Sequence, residues 1–156
     1  NKVAIIDFDV HHGNGTQDIL WDNPKTLFIS AHQYPLFPGS GQKEECGNFK
    51  NVVNLTIPEN TNGAYFIDIL KRIIIPKLRQ FQPQILMISA GFDAHTMDPL
   101  ANLNWETDDY QEITELLSDL AKTTCDGKIV SCLEGGYNLN ALENSVAAHV
   151  KALMEA

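Results

Sequence analysis

Val3 to Gln17 reads VAIIDFDVHHGNGTQ. Its first residues form a short apolar run without alternation, the pattern of a strand buried on both faces of a parallel sheet. The run ends in Asp7, Asp9, His11 and His12 and then in Gly13 and Gly15. In an extended segment alternate residues share a face, so Asp7, Asp9 and His11 point one way and Phe8, Val10 and His12 the other. Two carboxylates and an imidazole crowded onto one face repel each other or lose hydration unless a cation sits among them.

Similar apolar runs recur at Thr26–Ala31, Asn51–Ile57, Gln84–Gly91 and Lys128–Gly136. Between them the spacing predicts helices. One covers Ala64–Phe81, ended or restarted at Pro76. A second covers Asp108–Thr123, with Thr107 as its capping hydroxyl. A third covers Asn138–Met154, with Leu142, Val146, Val150 and Leu153 on one face. Strands alternating with helices imply an α/β fold, a doubly wound and mainly parallel sheet with helices on both faces. Ligands in such sheets bind beyond the carboxyl ends of the strands. Asp7–His12, SAGFDAH (Ser89–His95) and LEGGY (Leu133–Tyr137) all follow apolar runs and should meet at one rim. The turn-rich loop Pro35–Cys46 is long enough to line a site there.

Bulk properties narrow the function. The 156 residues suffice for one domain, and 44% apolar with 20% charged residues suits a folded protein. Acids outnumber bases 20 to 11, for a net charge of −9, so direct nucleic-acid binding is not expected. No apolar run approaches the ~18 residues of a membrane span. The three cysteines, Cys46, Cys125 and Cys132, form no metal-like pair and suit reduced thiols. A cytoplasmic location is expected, or a nuclear one in a eukaryote. The chain starts almost directly in a buried-strand pattern, as if a preceding part were missing.

A divalent metal removes the conflict at the rim. Zinc takes Asp oxygen and His nitrogen, and three protein ligands with one open position mark a catalytic site. Asp93, which follows ILMISAG, is the natural third ligand, with Gly91 letting the backbone turn. Taken alone, an Asp such as Asp93 at a strand end is more often a turn former or helix cap, and a His-His pair is more often structural than ligating. Three motifs converging on one rim favour the metal.

Four motifs in this order, DFDVHHGNGTQ, HQYPLFPGSG, SAGFDAHTMDPLA and LEGGYNL, resemble the zinc-dependent histone deacetylase family. The wording is similar to the class II and bacterial deacetylase-like branch of the arginase–deacetylase superfamily. The resemblance implies that Asp9, His11 and Asp93 ligate one Zn2+, with Fe2+ an alternative. It implies Tyr137 as the catalytic tyrosine that donates to the substrate carbonyl. Asp7 matches a residue that orients a catalytic histidine and also shares a K+ site with Asp9, His11, Ser30 and Ala31. Ser30 also reads simply as a small residue tolerated in a strand. Phe37, Leu100, Gly135 and Gly136 match the walls of a tunnel for an acylated lysine side chain. His12 and His95 are expected to be supporting or structural groups, and His149 an exposed helix residue.

The family's tandem histidine pair, its general base and acid, has no counterpart here, since His11 is committed to the metal. The chain, residues 1–156, is therefore expected to be the C-terminal part of a single deacetylase domain and to be largely inactive alone. The resemblance implies removal of acetyl groups from acetyl-lysine in histones or other proteins. Alternatives are an acetylpolyamine or other small-molecule deacetylase, and a non-catalytic zinc-binding interaction module. Oligomeric state is not legible.

Overall fold

A computed structural model describes residues 1–155. Its strands are β1 (Val3–Asp7), β2 (Thr26–Gln33), β3 (Val52–Ile57), β4 (Ile85–Ala90) and β5 (Ile129–Leu133). They form one sheet in the order β3-β2-β1-β4-β5, every pairing parallel. The sheet grows from β1 toward β3 on one side and toward β5 on the other. Between β1 and β4 the chain therefore leaves in opposite directions, which opens a crevice at the strand ends.

β4 and β5 are shorter than their apolar runs because the chain leaves the ladder early. The Phe92 N–H donates to the Gly135 carbonyl at 2.8 Å, and the Glu134 N–H to the Ala90 carbonyl at 3.0 Å. These bonds tie the ends of the two strands together where the polar motifs begin. β2 instead runs on to Gln33, whose N–H donates to the Val10 carbonyl at 2.9 Å.

The helix expected over Ala64–Phe81 is continuous but not uniform. α2 (Gly63–Ile69) is capped by the Asn62 side chain, which accepts the Tyr65 N–H. A π turn over Leu70–Ile74 follows, and then α3 (Ile75–Phe81) with Pro76 in its first turn. Proline lacks an N–H and crowds the carbonyl four residues back, here Arg72, which lies inside the widened π turn. A further helix, α1 (Asn14–Leu20), stands where only a glycine-rich exit was expected.

The start of α4 (Thr107–Thr124) differs from expectation. Glu106, not Thr107, is the cap: its carboxylate accepts the Asp109 N–H while Asp109 Oδ2 accepts the Glu106 N–H at 2.7 Å. This reciprocal box satisfies two end groups, where a threonine hydroxyl satisfies one. The Thr107 hydroxyl lies 3.4 Å from Ser145 Oγ on α5 (Leu139–Met154).

α5 is also rotated from its expected face. Ala141, Ser145, His149 and Ala152 are buried, whereas Leu142 and Val146 pack only partly and Val150 is 44% exposed. α5 packs against α4, and small residues allow the two to approach. His149, expected on the surface, is buried at 4% exposure, with Nδ1 2.7 Å from Thr114 Oγ1 and Nε2 2.8 Å from Ser131 Oγ. Its ring meets Phe92 and Phe8 edge-on. A histidine with both nitrogens bonded satisfies the rule for burial that a sequence pattern does not reveal.

The main core joins one sheet face to α2, α3 and α4, centred on Phe8, Phe66, Phe92, Trp105 and Tyr110. On the opposite face Ile5, Phe28 and Val52 are covered by Leu20 and Trp21 at the end of α1. β5 is less protected, with Val130 and Leu133 exposed. No described helix is long and apolar enough to cross a membrane.

Burial holds His149 down, to about 4 from the ordinary 6.5. The unfolded chain takes up a proton there before the folded one does. Stability is therefore full above 6.5 and falls as the pH drops from 6.5 to about 4, by up to roughly 1.4 kcal/mol per pH unit. Denaturant midpoints should show a shallower decline over this range in His149→Gln than in the wild type; parallel declines would contradict it.

Candidate metal centre

Asp9 and His11 follow β1 not in the expected extended run but in a bend, where the Asp9 N–H donates to Asp7 Oδ1 at 3.0 Å and the His11 N–H to Asp9 Oδ1 at 2.8 Å, and Asp93 follows β4 two residues after Gly91. One ligand atom from each, among the described residues, lies within 4.8 Å of the others. His11 Nδ1 is 3.1 Å from Asp9 Oδ1 and 3.0 Å from Asp93 Oδ2. Ligands on one tetrahedral zinc stand about 3.3–3.6 Å apart, so small outward movements suffice to admit an ion. The remaining carboxylate oxygens are pinned by main-chain donors: Val10 N–H to Asp93 Oδ1 at 2.9 Å and Gly135 N–H to Asp9 Oδ2 at 2.8 Å. A built cradle of this kind fits a divalent ion with oxygen and nitrogen ligands.

The glycines make the cradle possible. A Cβ on Gly135 would strike both the Asp9 and Asp93 carboxylates, and one on Gly91 would strike the Asp9 backbone. Gly136, at φ +138°, adopts a conformation that side-chain-bearing residues avoid, and so turns the chain toward Tyr137.

Electrostatics report the same demand for positive charge. Hydrogen bonds to Asp9 and Asp93 push the His11 imidazole up to about 10. Burial pushes Asp9 up, but bonds from His11 and from main-chain N–H groups outweigh it and hold the carboxyl low. Asp93 ends up raised, by burial and only partly offset by His11. Asp7, buried and beside Asp9, is pushed up to about 8. A divalent cation among the three ligands would supply that positive charge.

A cavity of about 760 Å³ opens over this cluster, with Asp9 and His11 in its floor and Phe37, Leu100 and Tyr137 in its walls. Phe37 and Leu100 are exposed, at 78% and 51%, as expected of walls facing open space. Gly135 also lines the cavity; Gly136 does not, and faces Leu142 and Phe92 instead. Burial, with the negative charge of Asp93, Asp9 and Asp98, raises Tyr137, so its phenol stays protonated.

Ser30 lies beside Asp7 in the β1–β2 register, and Ala31 follows it. The Ser30 hydroxyl is fully buried and sits 2.9 Å from His32 Nδ1. His12 is a supporting group, its Nδ1 2.8 Å from Ser40 Oγ and its Nε2 3.0 Å from Gln17 Oε1. His32, its ring tilted 49° to that of His12 at 4.7 Å and bonded to the Gly41 carbonyl, completes the underside of the loop that carries Phe37. His95 is structural, its Nδ1 accepting the Met97 N–H. Asp98 went unnoticed in the sequence, although an Asp-Pro step is a turn signal.

The histone deacetylase domain model matches residues 1–153. The chain belongs to the histone deacetylase family. It is 42% identical to the Arabidopsis thaliana protein named histone deacetylase 14, chloroplastic, over 98% of this chain and 37% of that relative. The crystal structure of the HDA15 HD domain superposes at a TM-score of 0.90 with 36% identity, over 99% of this chain and 44% of the other. The crystal structure of an acetylpolyamine aminohydrolase from Burkholderia pseudomallei superposes at 0.87 with 28% identity, over 97% and 44%. The chain thus spans less than half the length of the relatives it matches.

If Asp9, His11 and Asp93 hold one ion, calorimetric titration with zinc should give one site per chain. Asp93→Ala should remove that site while the thermal transition persists. Binding of zinc by Asp93→Ala at wild-type affinity would contradict the assignment.

Proposed function

We propose that the chain is the C-terminal part of a metal-dependent amidohydrolase domain that removes acetyl groups from acetyl-lysine in histones or other proteins. The observation that carries the reading is the convergence of Asp9, His11 and Asp93 on one point beneath a cavity walled by Tyr137, Phe37 and Leu100. Family membership and the solved neighbours support it. The exposed β5 strand, with Val130 and Leu133 uncovered, supports a larger domain that continues the sheet.

Asp9, His11 and Asp93 hold the ion, Zn2+ or Fe2+, which when bound supplies a Lewis acid for the acyl carbonyl and acidifies a water. Asp7, Asp9, His11, Ser30 and Ala31 would hold a K+, whose positive charge would offset the carboxylates at the base of the same motif. Phe37 and Leu100 flank the methylenes of the lysine side chain, and Gly135 lets the acyl end approach. The Tyr137 hydroxyl donates to the carbonyl oxygen and strengthens that bond as negative charge develops there. Its raised pKa keeps the proton in place.

Asp7 orients a histidine supplied by another part of the protein, because this sequence has no further tandem histidine pair. General acid–base assistance contributes ~10²–10⁴ in rate, so the isolated chain should turn over acetyl-lysine peptides that much more slowly than the whole protein. Equal kcat/KM for the two would sink this part of the reading. Three free cysteines favour a reducing compartment such as the cytoplasm.

The acetylpolyamine aminohydrolase neighbour keeps a small-amine substrate as the second reading. In the whole metal-loaded protein, kcat/KM for an acetyl-lysine peptide should exceed that for an acetylpolyamine; the reverse order selects the second reading. Tyr137→Phe should lower kcat on the preferred substrate by roughly 10²–10³ with little change in KM, as for loss of an oxyanion donor.

A further inference from the structure

Tyr137 stands between two anchors. Upstream, Gly135 is tied to the metal cradle through its N–H on Asp9 Oδ2 and its carbonyl under the Phe92 N–H. Gly136, at φ +138°, holds a backbone conformation that favours glycine. Downstream, the Tyr137 N–H donates to Asp98 Oδ2 at 2.8 Å and the Asn138 N–H reaches the same oxygen at 3.4 Å. Asp98 Oδ1 accepts the Leu100 N–H at 3.0 Å. One carboxylate, only 7% exposed, thus bolts the tyrosine segment to the segment carrying Leu100.

The Tyr137 side chain is half exposed and receives little packing, at 52%. Its place over the cavity is therefore set mainly by its backbone. With a glycine on one side, the bonds to Asp98, together with the start of α5, fix the backbone at Tyr137 and hence the direction in which its side chain leaves the chain. Asn138 extends the clamp, since its side chain caps α5 by accepting the Ala141 N–H at 3.0 Å. The Asp98 charge also adds to the field that keeps the Tyr137 phenol protonated.

We infer that Asp98 is a positioning residue for Tyr137: its carboxylate clamps the backbone after Gly136 and aims the phenol at the cavity that holds the acyl group. The inference rests on the proposed catalytic role of Tyr137. Asp98 touches neither ligand atoms nor substrate, and its effect on turnover passes through the tyrosine.

The test uses the whole metal-loaded protein with Asp98→Ala, Tyr137→Phe and the double variant. Asp98→Ala should lower kcat by roughly 10²-fold, the cost of a small misplacement of a catalytic group, with KM and bound metal close to wild type. The double variant should be no slower than Tyr137→Phe alone, since the two act as one unit. Hydrogen exchange in the segment 135–140 should quicken by roughly tenfold or more, as expected for loss of bonds to a charged acceptor, while β1 is unchanged. Where Asp98→Ala does not fold, Asp98→Asn, which keeps one acceptor oxygen, should show the same effects in smaller measure.

Additive losses in the double variant, loss of metal together with activity, or unchanged exchange in 135–140 would each overturn the inference. If Tyr137→Phe turns over substrate as fast as wild type, the catalytic reading of Tyr137 fails. The exchange measurement then still decides whether Asp98 clamps the segment.

Discussion

Two buried carboxylates, Asp9 and Asp93, face one another across the crevice between β1 and β4 with only the His11 imidazole between them. Like charges so close and so poorly hydrated are costly unless positive charge joins them. The surrounding structure is organised around keeping them there. Main-chain donors from Val10 and Gly135 hold the outer oxygens, and Gly91 and Gly135 give up side chains so that backbone and carboxylates can approach. Parallel pairing of β1 with β4 in register brings Asp7 level with Ser89 and delivers both motifs to the same edge.

The rest of the cavity is an outgrowth of that cradle. The Gly135 N–H that steadies Asp9 belongs to the segment that carries Tyr137, so metal site and tyrosine share one backbone connection. The wall that carries Phe37 is supported from beneath by His12, His32, Gln17 and Glu45. Burial, with His12 alongside, brings His32 down to about 4, so the His32 ring itself is neutral near pH 7. A neutral His32 can lie buried against its neighbours without the penalty of a buried charge.

Much of this was legible from the chain. Unalternating runs such as Val3–Asp7 read as buried parallel strands, and alternation of strand and helix gave the fold class. Asp9, His11 and Asp93 stood out because three polar motifs follow apolar runs that end at one rim, where any one of them alone would read as a turn, a cap or a structural histidine. Errors fell where a residue's partner is remote in sequence or its pattern is shared by two answers. Thr107 looked like a cap until Glu106 and Asp109 closed their own box. His149 looked exposed because its partners, Thr114 and Ser131, lie on two other elements.

The sequence by itself determined the sheet, its parallel sense and the chemistry gathered at its rim, because periodicity and residue type are local properties. Tertiary structure alone decided which face of α5 is buried, where the Phe37 loop rests, and that Asp98 reaches Tyr137. Those depend on hydrogen bonds between segments tens of residues apart, and only packing of the whole sheet brings such donors and acceptors within reach.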